Sequence, residues 1–250
     1  MLKNEREREI LNILKENGGF ASVKELCSSL FASQSSIRRD LTSLENKGAI
    51  KKSYGGAELV TNFSSVTDFN KRTHHNISAK KIIARKAAKL IKDGSIVFLD
   101  QSSTSFYLAN EIFNQSSVTV VTNNIEIISL LSNSKIKTIS SGGFLSPDNR
   151  TCLIGRDAEH IFENTYADVV FFSAKSLSED GIISDCTREE VVLRNSMLKN
   201  ASKKVVLCDS EKIGTRSAYR QCSLSDIDYL ITETYLPEKF HCLENQVKIL

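Results

Sequence analysis

The chain has 250 residues, 40% hydrophobic and 25% charged, which is ordinary usage for a soluble globular protein with a real core. No segment is long and apolar enough to cross a bilayer, and the opening MLKNEREREI is charged where a signal peptide carries its apolar stretch, so a cytoplasmic location is expected rather than secretion. A net charge of +3 permits nucleic-acid binding without requiring it.

Six cysteines form no C-x-x-C pair and have no histidine at metal-ligand spacing, so reduced, mostly buried thiols are expected, with no metal and no cofactor. Apolar residues at Ile10, Leu11, Ile13 and Leu14 predict an amphipathic helix over 4–17, stopped by Gly18-Gly19. A second helix is expected to start at the N-cap Ser22, with Glu25 as its capping-box partner, and to reach about Phe31. A third starts at Ser33 or Ser35, turns Ile37, Leu41 and Leu44 to one face, and ends at Lys47-Gly48. Residues 49–57 read as two short extended pieces around a turn.

The third helix leaves Gln34, Ser35, Arg38 and Arg39 pointing away from the core. Hydroxyls and a helix N-terminus suit phosphates, and a forked guanidinium suits a guanine edge in the major groove. Lys51, Lys52 and Tyr54 on the hairpin would lie along the flanking DNA backbone. Between Gln34 and Tyr54, five basic residues stand against two acidic ones, an excess as large as that of the whole chain. The basicity is therefore local to this face.

The stretch ASVKELCSSLFASQSSIRRDLTSLENKGAIKKSYGGAEL resembles the DNA-binding signature of the DeoR family of bacterial regulators. The IRRDL core, the Leu-Glu pair before the glycine and the Gly-Gly-Ala closing the wing carry the resemblance. It implies a winged helix-turn-helix whose recognition helix starts within Ser33 to Asp40, with Ser33, Gln34, Ser35, Ser36, Arg38 and Arg39 at the DNA. Most such proteins repress sugar-use operons.

These elements form a first domain over residues 1–57, followed by a polar connector over 58–76 with Val60, Phe63, Val66 and Phe69 as spaced anchors. Its KRTHHN run holds adjacent His74 and His75 without carboxylate or cysteine company, so surface histidines are expected rather than ligands. From 77 to 250, helices alternate with short apolar strands. Helices are expected over 78–91, 105–113, 125–132, 156–164 and 188–200, and strands over 95–99, 118–121, 137–140, 169–173, 204–207 and 229–232. That alternation defines an α/β domain with a mostly parallel sheet covered on both faces. Ligands of such folds bind at the carboxyl ends of the strands.

Those ends are polar one after another. Asp100, Gln101, Ser102, Ser103, Thr104 and Ser105 run straight into a helix, a pattern that suits an anion cradle and equally a ligand-free serine N-cap. Thr122-Asn123-Asn124 enters the next helix, and Ser141-Gly142-Gly143 permits close backbone approach. Ser173-Ala174-Lys175 precedes the acidic turns Glu179-Asp180-Gly181 and Ser184-Asp185, and Asp209-Ser210-Glu211-Lys212 ends a further strand. A polar small-molecule site is expected along this edge.

The resemblance continues here: these segments are similar to the DeoR-family effector domain, related in fold to sugar-phosphate isomerases of the ribose-5-phosphate isomerase type. It implies that Ser102, Ser103 and Thr104 hold a phosphate, and that Lys175, Asp185, Asp209 and Lys212 meet the sugar or its phosphate, beside Asp100, Thr122, Asn123, Gly142 and Gly143. Many members have glycine where this chain has Ser102, so its pocket and effector are expected to differ from the commoner ones.

The leading expectation is a regulator, read first as a repressor with activation left open, that binds double-stranded operator DNA as a dimer or tetramer and is released by a phosphorylated sugar, with no catalytic residues and no membrane partner. An aldose–ketose isomerase, with Asp185 or Asp209 as base and Lys212 at the enediolate, is the alternative. Such an enzyme has no use for the head carrying Arg38 and Arg39. A head that docks protein instead of DNA is disfavoured by its local positive charge.

Overall fold

A computed structural model describes residues 3–17, 20–46, 49–53, 55–59, 67–236, 240, 243 and 245–250. The chain forms two compact units, residues 1–62 and 63–250.

The first unit contains α1 (Lys3–Glu16), β1 (Phe20–Ser22), α2 (Val23–Leu30), α3 (Gln34–Asn46), β2 (Ile50–Ser53) and β3 (Gly56–Leu59). Ser22 caps α2 as the residue spacing requires: its hydroxyl accepts from the Glu25 amide at 3.2 Å, and Glu25 accepts from the Ser22 amide at 2.8 Å. Phe31 ends α2 in a left-handed conformation. Ile10, Leu14, Leu26, Ile37, Leu41, Leu44 and Ile50 close one small core. The three strands lie in the order β1-β3-β2, all antiparallel. Strand β1 is too short to leave a periodic signal, yet it dictates Gly56, where a Cβ would stand 2.5 Å from the Ala21 carbonyl. The expected helix stops at Gly18-Gly19 and Lys47-Gly48, and the hairpin residue Tyr54, lie outside the described residues.

The second unit opens with α4 (Phe69–His74) and α5 (Ile77–Ala88). Then follow β4 (Ile96–Leu99), α6 (Ser103–Glu111), β5 (Thr119–Thr122), α7 (Ile125–Leu131), β6 (Lys137–Ser140), β7 (Phe144–Leu145), β8 (Leu153–Ile154) and α8 (Arg156–Glu163). The remainder is β9 (Ala167–Phe172), β10 (Ser176–Leu177), β11 (Ile182–Asp185), α9 (Arg188–Lys199), β12 (Ala201–Leu207), β13 (Tyr219–Ser223), β14 (Tyr229–Ile231) and β15 (Lys248–Ile249).

Seven strands form one parallel sheet in the order β15-β14-β12-β9-β4-β5-β6. Alternate residues feed two cores. Val97, Leu99, Val120, Val169, Phe171 and Val205 pack with Ala84, Leu108 and Ile127 of α5, α6 and α7 on one face. Phe98, Val121, Val170, Phe172 and Val206 pack with Phe162, Leu193 and Met197 of α8 and α9 on the other. Burial on both faces is why these strands read as continuous apolar runs.

Two features depart from expectation. Residues 69–74, within the segment read as connector, form α4, held by the edge-on ring pair Phe69–Phe106 and by the Tyr107 hydroxyl donating to the Thr73 carbonyl at 2.9 Å. In α5 the apolar pattern puts Ile82, Ile83, Ala87, Leu90 and Ile91 on the buried side, but the side that is buried runs through Lys80, Ile83, Ala84 and Ala87, while Ile82 is exposed.

Candidate functional site

In the first unit, α3 buries Ile37, Leu41 and Leu44 and leaves Gln34, Ser35, Arg38 and Arg39 exposed on the opposite side. Ser33 precedes the helix; its hydroxyl lies 3.0 Å from those of Ser35 and Ser36 and accepts from the Ser36 amide at 3.3 Å. Arg39 folds back on the Ser35 carbonyl at 3.3 Å. Among the described residues Arg38 and Lys51 have no protein partner for their charges. Lys52 pairs with Glu45 at 2.8 Å and so holds that carboxyl below its ordinary range. Asp40 of the IRRDL core is 1% exposed and binds Arg6 of α1 at 2.5 Å, so its carboxylate fastens two helices instead of facing outward.

In the second unit the strand order reverses between the parallel neighbours β4 and β9: β5 and β6 are added on one side of β4, and β9, β12, β14 and β15 on the other, which places a crevice at their carboxyl ends. Asp100 fills the start of it. Its two oxygens accept from the Ser102 amide at 3.1 Å, the Ser105 hydroxyl at 2.7 Å, the Ser173 amide at 3.1 Å and Arg194 at 3.3 Å. Ser102 caps α6, its hydroxyl accepting from the Ser105 amide at 3.0 Å. Ser103 and Thr104 open α6 with backbone N–H groups pointing out of the helix start; Thr104 is 0% exposed, and its hydroxyl has no partner among the described residues. Lys212 donates to the Ser173 hydroxyl at 2.9 Å and pairs with Asp209 at 3.4 Å.

Beside Lys212 lies Lys80 of α5, 3% exposed, donating to the Arg72 carbonyl at 2.9 Å and to that of His75. Burial, then the neighbouring Lys212, lower its pKa to about 8. Arg72 of α4 stacks on Phe69 and has a buried Nη2 without a partner among the described residues, and its charge reaches Lys80, Glu190 and Cys152. Three cations thus lie close together, and Lys212 links them to the Asp100–Ser105 loop through Ser173.

Helix α9 grips that loop from the other side. Arg194 is fully buried between Asp100 and Asp185, 3.1 Å from the latter, and donates to Gln221 at 2.8 Å. Burial opposes its charge, but Asp185, Asp100 and Glu190 outweigh that and raise its pKa. One turn earlier Glu190 accepts from Gln101 at 2.7 Å and Asn149 at 2.9 Å; burial, then Asp185, push its carboxyl up. Gln101 in turn meets Asn123 at 3.5 Å.

The fold therefore brings together Asp100, Ser102, Ser103, Thr104, Asp209 and Lys212, joins Asp185 to them through Arg194, and reaches Asn123 through Gln101. Lys175 lies on the Asp185 side, near enough to hold down the Cys186 thiol that burial pushes up to about 12. Thr122 accepts from the Asn124 amide at 3.1 Å, and Asn124 caps α7. Gly143 serves packing, since a Cβ there would stand 2.4 Å from the Ile154 carbonyl, whereas Gly142 faces open space at φ +68°. Asp185 has both oxygens engaged, one by Arg194 and one by the Cys186 amide at 2.8 Å, so it is not a free base.

Arg72, Lys80, Glu190 and Arg194 escaped the sequence reading, which named Gln101 only as part of the loop. Lys80 sits at a core-facing position of α5 and Arg72 in a run weighed only for its histidines. In α9, a glutamate and an arginine four apart look like any solvated helix face. Only tertiary burial marks them.

An exposed basic helix start on a winged unit, followed by a strand-end site lined with cations, defines a ligand-sensing transcription regulator. A family model described as a DeoR-like helix-turn-helix domain matches residues 6–63, and one described as the DeoR C-terminal sensor domain matches residues 75–234. The chain belongs to the DeoR family of transcription regulators. It is similar to the HTH-type transcriptional regulator GolR of Listeria innocua, 36% identical over 93% of this chain and 91% of that one. The lactose phosphotransferase system repressor of Staphylococcus aureus is 28% identical over the full length of both. Among solved structures, ribose 5-phosphate isomerase A of Methanocaldococcus jannaschii aligns with a TM-score of 0.41 and 20% identity, over 54% of this chain and 53% of that one.

Proposed function

We propose that the chain is a cytoplasmic, homo-oligomeric repressor of a carbohydrate-use operon that leaves its double-stranded operator when the second unit binds a phosphorylated sugar. In this reading the DNA-reading domain ends near residue 57, and the connector spans residues 58–76 with α4 inside it. Ser33, Gln34, Ser35, Ser36, Arg38 and Arg39 meet the major groove, and Lys51, Lys52 and Tyr54 the flanking backbone.

The observation that carries the ligand half is the unfinished electrostatics at the strand ends. Arg72, Lys80 and Lys212 lie close together, Lys212 is joined through Ser173 to Asp100 of the loop that leads into α6, and the Thr104 hydroxyl of α6, like Arg72 Nη2, is buried without a partner among the described residues. Cations held together and a buried hydroxyl left unpaired each cost free energy, which a dianionic phosphate recovers. The sugar part draws support from the name of the lactose phosphotransferase system repressor. In this reading the phosphate sits between the α6 N-terminus and the three cations, with Asp209 and Lys175 toward the sugar and the amides of Gln101 and Asn123 beneath it. In this reading the molecule binds without catalysing: of the two candidate bases for an isomerase, Asp185 pairs with Arg194 and Asp209 with Lys212.

Thermal unfolding against a panel of sugar phosphates, the same sugars unphosphorylated, and inorganic phosphate tests the ligand. A ligand at 100 times its dissociation constant stabilises by about 2.7 kcal/mol, so a matching sugar phosphate raises the melting temperature visibly. A panel in which the free sugars do as well as their phosphates contradicts the anion site.

A further inference from the structure

Both residues of β7 are exposed, Phe144 by 62%. The Phe144 ring lies against Gly155, where a Cβ would stand 2.4 Å from it, and this contact fixes the hairpin beside α8 and α9. A groove of about 310 Å³ is lined there by Phe144, Ile154, Glu159, Arg188, Glu189 and Val192. Val192 is 40% exposed and lies one helical turn beyond Arg188 and Glu189, on the same outer face of α9. Grouped apolar exposure of this kind marks an interaction surface more than ordinary solvent-facing protein.

The charges say what covers it. Arg188 and Glu189 are exposed, and among the described residues neither has an ion-pair partner. They are neighbours of opposite sign. A partner of single sign, such as DNA or an acidic peptide, would satisfy one and repel the other. A copy of the same face turned by a two-fold axis satisfies both, because Arg188 of each chain then meets Glu189 of the other while the apolar side chains pack between.

We propose that a second copy of this chain docks on this face, in a two-fold pairing of α9 and the β7–β8 hairpin. The inference shares with the proposed function only the statement that copies associate, and adds the face they use.

Sedimentation velocity of the full chain across a concentration series tests it, with far-UV circular dichroism confirming that each variant is folded. The wild type is expected at two chains or more. Phe144→Glu with Val192→Glu should raise the dissociation constant by about tenfold or more. Arg188→Glu, on an exposed first turn, should weaken association, and adding Glu189→Arg should restore it by exchanging the two signs. A wild type that stays a single chain at micromolar concentration overturns both this face and the homo-oligomer reading. A wild type that assembles while all variants assemble equally well overturns the face alone. A double exchange as weak as Arg188→Glu overturns the two-fold pairing.

Discussion

A buried hydroxyl left without a partner costs about 1–3 kcal/mol, and Thr104 carries one at the start of α6. Its retention makes sense where a ligand completes it. Thr104→Val removes the cost while keeping the shape, so thermal unfolding should show the apo variant as stable as wild type or more so. Its DNA binding should survive and its response to sugar phosphate should be lost; a variant released from DNA as readily as wild type would remove Thr104 from the site. Lys80 adds a pH signature. Its folded pKa, lowered to about 8 from an ordinary 10.5, means that the unfolded chain holds more protons between those values, so stability rises with pH across that window. A bound phosphate pulls the pKa back up, so binding takes up a proton. Affinity for the sugar phosphate is therefore expected to weaken above about pH 8, by up to roughly tenfold per pH unit. Isothermal titration at pH 7, 8 and 9 reads this, and Lys80→Met should flatten the profile; a flat wild-type profile would place Lys80 away from the anion. On the DNA side, the unpaired guanidinium of Arg38 predicts that Arg38→Ala costs roughly 1–3 kcal/mol on the operator if it grips a base edge. Comparison with a scrambled duplex decides, since equal loss on both assigns Arg38 to phosphate. Residue type alone located the hydroxyl loop, Asp209 and Lys212, because polar groups at strand ends need no tertiary information to be noticed. It did not separate Asp100, a fully bonded strut, from Thr104, an unsatisfied donor; that distinction is made by neighbours far along the chain.

At the scale of elements, α9 organises the second unit. Glu190 and Arg194 occupy the same inward face one turn apart and take hold of consecutive residues, Gln101 and Asp100, of the loop after β4. Arg194→Met would leave Asp100 and Asp185 buried without their counter-charge, a loss on the order of 3–5 kcal/mol, against near-neutral cost for an exposed arginine such as Arg156. Urea unfolding measures both; a loss below about 1 kcal/mol for Arg194→Met would show that the cluster relaxes by other means. The long elements were legible because the helices repeat an apolar face and the strands read as unbroken apolar runs: each strand of the seven-stranded sheet except β15, and each helix from α5 to α9, falls within a few residues of its expected place. The two-residue strands β7, β8, β10 and β15 carry no period at all, and β11 and β13 pair across 34 residues or more, a link that local pattern does not encode. Helix α4 is six residues long and polar on most sides, so its composition reads as connector until Phe69 meets Phe106.

For the whole molecule, the outer face of α9 carries Arg188, Glu189 and Val192, the face proposed for a partner copy, while its inner face holds the loop proposed to bind the effector. A ligand there shifts assembly only by as much as its affinity differs between the two arrangements. Two copies matter to the DNA because a single short recognition helix reads few base pairs, and paired half-sites lie about 10 base pairs, or a multiple of that, apart. The measurement that bears most directly on this account is fluorescence anisotropy of duplex DNA from the promoter upstream of the protein's own gene, titrated with the full chain at modest ionic strength and then with the sugar phosphate that raises its melting temperature. Tight binding that exceeds binding to an unrelated duplex, lost as the sugar phosphate is added, is the predicted result. Indifference to that promoter DNA in the absence of the metabolite, or a complex that the metabolite leaves intact, would contradict it.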